Sequence, residues 1–271
     1  MSKAHRGRQG GYRTGQRTSV SDEILQIADD FRNIRGSFRI LGFVDIGTQA
    51  SLVRLSNAKY VFLDSYTLQG DVKNEVLQLT ENGRAVEAII NLHPFHTLHC
   101  ANMHRDFPHA RLYGTERHAE RMPDLPWEAL RTEHAELHEK YSQDFDFSVP
   151  RGVQLVTSNE HVHFSSVLAY HRSSQTIHVD DTLMFMRFPL RRVSFHPTLT
   201  QALEKRGGAA ADFRAWATEL AERWRDAENL CAAHTSALTA DRMGSRSLYE
   251  RILTALNLVS RKLDAHERKY G

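Results

Sequence analysis

INLHPFHTLHCAN, residues 90–102, decides how the rest of this chain is read. His93, His96 and His99 fall within seven positions. They directly follow VEAIINL at 86–92, a nearly all-apolar run of the kind a strand shows when both its faces are covered. Loops at strand ends are where a rigid scaffold carries reactive groups. Histidine is the commonest metal ligand and the neutral-pH proton carrier. Three imidazoles at a strand terminus therefore read as a metal or catalytic site rather than as scattered surface residues.

Outward from that loop, three further stretches offer ligand atoms at strand ends. EHVH at 160–163 brings His161 and His163, VDD at 179–181 ends in Asp180 and Asp181, and AAH at 232–234 ends in His234. Taken alone, Asp180 and Asp181 also suit a cap before Thr182. Together these places supply imidazole nitrogen and carboxylate oxygen, the ligand chemistry of zinc, iron or manganese.

The whole composition is compatible with such a site in a folded protein. The chain has 271 residues, 41% hydrophobic and 25% charged, which excludes a collagen, a coiled coil and a wholly disordered chain. No stretch approaches the ~20 apolar residues of a membrane helix. The first residues carry no apolar signal core, and two cysteines, Cys100 and Cys231, make no disulfide framework, so a cytoplasmic location is expected. Lys3, Arg6, Arg8, Arg13 and Arg17 precede the first acid, Asp22. Residues 1–20 read as a disordered basic tail, and 21–271 as a single domain. Partners are expected to be small-molecule substrates, not membranes or nucleic acid, with the oligomeric state open.

The remaining pattern predicts a helix from Ser21 with a stop at Gly36, then β-rich runs at 38–44, 50–55 and 60–63, the last two forming a hairpin. A helix is expected at 72–83 and a short strand at Arg111 to Tyr113, followed by helix and loop over 115–145. Strands are expected at 153–157, 166–171, 176–180 and 230–233, and helices at 199–226 and 244–265. Phe213, Trp216, Leu220 and Trp224 share one helical face and read as packing. Phe185, Phe188 and Phe195 show no such period and read as candidates for a substrate pocket. This order suggests two sheets with helices outside.

The ordered set resembles the metallo-β-lactamase fold superfamily. The correspondence runs through VFLDSY with Asp64, HPFHTLHCAN, EHVHFSSVLAYH, DDTLMF with Asp181, and LCAAH with His234, spanning about residues 37–240. It implies an α+β fold, an αββα four-layer sandwich with the metal site along one edge of the two sheets. It implies a metal-dependent hydrolase, zinc first among the metals, with iron or manganese as alternatives. His93, His96, one of His161 or His163 (His161 preferred) and Asp181 would build one site. His99 and His234 would join Asp181 in a second site or, with that site empty, shuttle protons, and Asp181 would orient water or bridge metals.

Three departures bear on that expectation. The family's first histidine position falls on Pro94, beside His93, its second-site acid falls on Leu98, and the glycine before the bridging acid is Asp180. Leucine cannot ligate, so about one tightly bound metal per chain is expected. Cys100 or Cys231 could replace the missing carboxylate, but a small buried role is the commoner one. G-x-S-x-G, P-loop and G-x-G-x-x-G motifs are missing, which leaves hydrolysis ahead of serine-nucleophile and nucleotide chemistry. Two other readings stand beside it: a metal-binding protein without hydrolysis, and an iron redox site.

Overall fold

The computed structural model describes residues 22–37, 39–40, 44–45, 47–187, 191–233 and 236–271. Residues 1–20, Phe188 and His234 lie outside them, and with them the expectations for the tail, for one pocket aromatic and for the last histidine. The chain opens with strands β1 (Glu23–Ala28), β2 (Phe31–Gly36), β3 (Arg39–Ile40), β4 (Val44–Asp45), β5 (Thr48–Arg54) and β6 (Tyr60–Leu63). Helix α1 (Gly70–Leu79), β7 (Val86–Ile90), α2 (Cys100–Asp106), β8 (Arg111–Gly114), α3 (Glu116–Arg121), β9 (Trp127–Arg131) and α4 (Ala135–Lys140) follow. The second half holds β10 (Phe145–Ser148), β11 (Leu168–His171), β12 (Thr176–Val179), β13 (Leu183–Met186) and β14 (Arg192–Phe195). It ends with α5 (Leu199–Ala202), α6 (Ala209–Arg223), β15 (Asn229–Ala232), β16 (Ala237–Leu238) and α7 (Leu248–Tyr270).

Two sheets carry the architecture. The first has seven strands in the order β1-β2-β5-β6-β7-β8-β9, and the second five, β10-β11-β12-β15-β16. Alternation along the strands divides their side chains among three apolar layers. Val61, Leu63, Ala88 and Ile90 point between the sheets, toward Phe145, Val167 and Ala169. Phe62 and Ile89 point the other way, onto Val72 and Val76 of α1 and Met103 of α2. On the far side, Leu168, Ile177 and Leu230 meet Phe213, Trp216, Leu220 and Trp224 of α6, with Leu248 and Ile252 of α7 behind them. Helix, sheet, sheet, helix is thus an αββα sandwich. Among the described residues, no helix is long and apolar enough to cross a membrane.

Several local expectations are corrected. Residues 23–36 form the β1–β2 hairpin, not a helix, because β2 pairs along its whole length with β5, from Phe31↔Val53 to Gly36↔Thr48. That ladder outweighs the weak local preference. Gly36 is no helix stop: a Cβ there would lie 2.1 Å from the Tyr66 ring. The run 153–157 is not a strand, and Val153 makes only one bridge, to Leu203. The partner of β11 is β10, whose register runs from Phe145↔His171 to Ser148↔Leu168. β9 also lies where helix and loop were expected, parallel to β8 at the sheet edge. Phe185 and Phe195 are buried in the outer core as members of the β13–β14 hairpin, where they pack against other apolar side chains instead of standing open to a substrate.

Helix α7 starts at a capping box. Ser247 Oγ accepts the Glu250 N–H at 3.2 Å, and Glu250 Oε2 accepts the Ser247 N–H at 2.8 Å. Ser247→Ala is expected to lower stability by about 1 kcal/mol in a urea titration, with no change in metal content.

Candidate metal centre

β7 lies between β6 and β8, parallel to both, so its end is clamped on either side. The chain leaves it through Asn91 and Leu92. Asn91 Nδ2 donates to the Tyr113 carbonyl at 2.9 Å, and Ser65 Oγ donates to Asn91 Oδ1 at 2.7 Å. Asp64, at the end of β6 with φ +62°, accepts the Leu92 N–H at 2.7 Å. The histidine loop therefore begins on fixed backbone. Opposite it, Asp180 and Asp181 directly follow β12, both buried.

His93, His96 and Asp181 converge. Asp181 Oδ2 lies 3.1 Å from His93 Nε2 and 3.8 Å from His96 Nε2. The two imidazoles stack at 4.0 Å and 20°. Phe95 N–H donates to His93 Nδ1 at 3.1 Å, which turns Nε2 toward Asp181. His93 Nε2 is buried and makes no hydrogen bond of good geometry. Tetrahedral zinc with bonds of about 2.1 Å holds its ligand atoms about 3.4 Å apart. The two distances straddle that spacing, and the donor set is nitrogen and oxygen, so the residues fit a divalent cation.

His96 also reaches the neighbouring acid, Nδ1 lying 2.9 Å from Asp180 Oδ2. Burial lowers the His96 pKa, but Asp180 and then Asp181 more than reverse this, and it is raised to about 9. Burial would likewise raise the Asp180 carboxyl, yet His96, with His178 and His93, holds it below the usual carboxylate range.

A second cluster, Asp64, His178 and Asp180, sits directly behind the first and is fully buried. Asn33 Nδ2 donates to Ser51 Oγ at 3.0 Å. Ser51 in turn meets His178 Nδ1 at 2.9 Å, and His178 Nε2 meets Asp64 Oδ2 at 2.9 Å. In the neutral tautomer that donates Nε2–H to Asp64, Nδ1 accepts from the Ser51 hydroxyl, which itself accepts from Asn33. Every donor is thereby used without a cation. Burial, together with the nearby Asp180, raises the Asp64 carboxyl, while His178 and Leu92 pull against that shift. Gln49 Nε2 extends the polar link between the sheets by donating to the carbonyls of Val179 at 2.9 Å and Cys231 at 3.1 Å.

The other sequence candidates are placed as follows. His163 stacks on Phe95 at 4.7 Å and lies 6.0 Å from His93 between ring centroids, with Nε2 bonded to the Glu160 carbonyl. His161 is exposed, so the residue beside His93 is His163, not the preferred His161. His99 caps α2, its Nδ1 lying 2.8 Å from Thr67 Oγ1 and its ring against Tyr66, outside the cluster of His93, His96 and Asp181. Cys100 and Cys231 are buried, and burial pushes both thiols up to about 12, which leaves them protonated. Leu98 is 67% exposed. Sequence reading passed over His178 and offered Asp180 as a ligand donor, a cap or the replaced glycine, not as the partner of His96. The signal was there: positions 178 and 180 of a strand point to one face.

The class this fold defines is the metallo-β-lactamase fold, and solved structures share it over most of the chain. A metallo-β-lactamase from Erythrobacter litoralis superposes with a TM-score of 0.60 at 12% identity, covering 89% of this chain and 96% of its own. TMB-1 gives 0.59 at 12%, covering 89% and 98%. FIM-1 from Pseudomonas aeruginosa, solved in a mono-zinc form, gives 0.57 at 11%, covering 89% and 97%. No family model matches the chain, and no curated protein matches it in sequence.

Proposed function

We propose that this chain is a metal-dependent hydrolase holding one divalent cation, zinc first, between His93, His96 and Asp181. The observation that carries the reading is the contrast between the two clusters. The Asp64–His178 network closes on itself, whereas His93 Nε2 is buried against Asp181 without a hydrogen bond. A bound zinc ion would supply Lewis acidity toward a substrate oxygen and acidify water. Around it, the chain's own residues set the geometry. The Phe95 N–H orients His93, Asp181 offers a carboxylate to both imidazoles, and His163 stands beside His93 as a further nitrogen. His93, Asp180 and Asp181 are buried while the His96 side chain is 26% exposed, so substrate approaches from the His96 side. Esters, lactones, thioesters, amides and phosphodiesters are the substrate classes this chemistry serves.

Exposed Leu98 motivates a second reading, a metal-binding protein that does not hydrolyse. Metal analysis with a panel of those substrates separates the two. Turnover lost with chelator and restored by one metal supports the hydrolase; bound metal without turnover supports the binder. Because Leu98 faces solvent, Leu98→Asp does not disturb the core. It is expected to raise occupancy from about one metal toward two under metal excess, since divalent ions favour anionic oxygen. Two tightly bound equivalents in the unmodified chain would overturn the one-metal reading.

A further inference from the structure

Asp180 is a buried carboxylate that pairs with the His96 imidazole. Its Oδ2 lies 2.9 Å from His96 Nδ1, and its side chain is 1% exposed. The same imidazole stacks on His93 and turns Nε2 toward Asp181 Oδ2. An imidazole on a loop can rotate about two side-chain bonds and can present either nitrogen to a cation. Donating its other N–H to a carboxylate removes that choice and raises the basicity of the presented nitrogen. The rigid end of β12 provides the carboxylate here, and the main chain fixes its neighbour Asp181 at the same time.

We propose that Asp180 is the positioning residue of the metal centre: it holds the His96 Nδ1–H, so that His96 meets the cation through Nε2, beside Asp181. This rests on the reading of His93, His96 and Asp181 as the ligands. Asp64 is not available for the task, because its two oxygens are taken by the Leu92 N–H and by His178. Asp180 does not join the ligand set, since its carboxylate is engaged on the Nδ1 side of the ring.

Zinc affinity measured by chelator competition tests this on the unmodified chain and on Asp180→Asn, Asp180→Ala and His96→Ala. Asparagine keeps an acceptor for Nδ1–H, while alanine keeps none. Affinity is expected to fall about tenfold in Asp180→Asn and about 100-fold in Asp180→Ala, with one metal still bound at saturation. The cobalt absorption bands keep their positions in Asp180→Asn, because the ligands are unchanged. Equal affinity in the unmodified chain and both Asp180 variants overturns the positioning role. A shift of the cobalt bands in Asp180→Asn makes Asp180 a ligand and overturns it too. If His96→Ala binds zinc as tightly as the unmodified chain, the metal-centre reading itself fails and the positioning role falls with it. Should the Asp180 variants not fold, nuclear magnetic resonance of the cadmium-loaded unmodified chain decides. Coupling from cadmium to His96 Nε2, with a proton retained on Nδ1, is the expected result; coupling to Nδ1 overturns the proposal.

Discussion

Replacing His96 or Asp181 by alanine is expected to remove most of the metal bound by the purified chain, from about one equivalent to under about a tenth. Each substitution deletes one of three convergent candidate ligand atoms, and Asp181→Ala also deletes the carboxylate that both His93 Nε2 and His96 Nε2 face. His109→Ala and His138→Ala should leave metal content unchanged. His109 is exposed, and His138 bonds the Thr132 carbonyl and stacks on Phe147, away from the centre. Elemental analysis after desalting reads all four variants, and equal loss in all of them would refute the ligand assignment. Uptake should also follow pH. Without metal, His96 is protonated below about 9, so a cation must displace a proton there. Apparent affinity is therefore expected to rise as pH climbs toward 9.

The second large effect lies behind the site. His178→Ala leaves the buried Asp64 carboxylate without its ring partner and empties the space between Ser51 and Asp64. Leaving a buried carboxylate without its hydrogen-bond donor, together with the cavity left by the ring, costs about 3–5 kcal/mol. With a urea slope of about 3 kcal/mol per molar, the unfolding midpoint should fall by about 1–2 M. Asp64→Asn should cost less, because its amide oxygen still accepts the His178 N–H and no charge is buried. The double variant His178→Ala with Asp64→Asn should be less destabilised than the sum of the two, since both changes act on one hydrogen bond. Strict additivity, or a loss under about 1 kcal/mol in His178→Ala, would show that the pair does not tie the sheets.

The centre was legible in the sequence where chemistry and local pattern coincide. The run 86–92 is nearly all apolar because β7 is covered on both faces, and His93 and His96 follow it at once. The pair at 180–181 follows another buried strand in the same way. The first hairpin was not legible. Ile24, Leu25, Ile27, Ala28 and Phe31 fit a helical spacing as well as a strand, and only the β5 ladder chooses between them. β10 was missed for a related reason: FDFS at 145–148 is four residues long, too short to outweigh the helical text before it.

By itself the sequence offered the candidate donors and the order in which strands deliver them, because burial and hydrogen-bonding chemistry are written in residue type and period. Through the family resemblance it also raised the expectation that Leu98 stands where an acid would be needed for a second cation. Only the tertiary structure decided which donors meet. It set His163 beside His93 and left His161 on the surface, kept His99 with Thr67, and split the acids between two tasks, Asp181 facing both imidazoles and Asp180 holding His96 from behind. The reason is that sheet-to-sheet distance and register are set by the packing of Val61, Ile90, Val167 and Ala169, residues remote in sequence from one another and silent about the histidines they bring together.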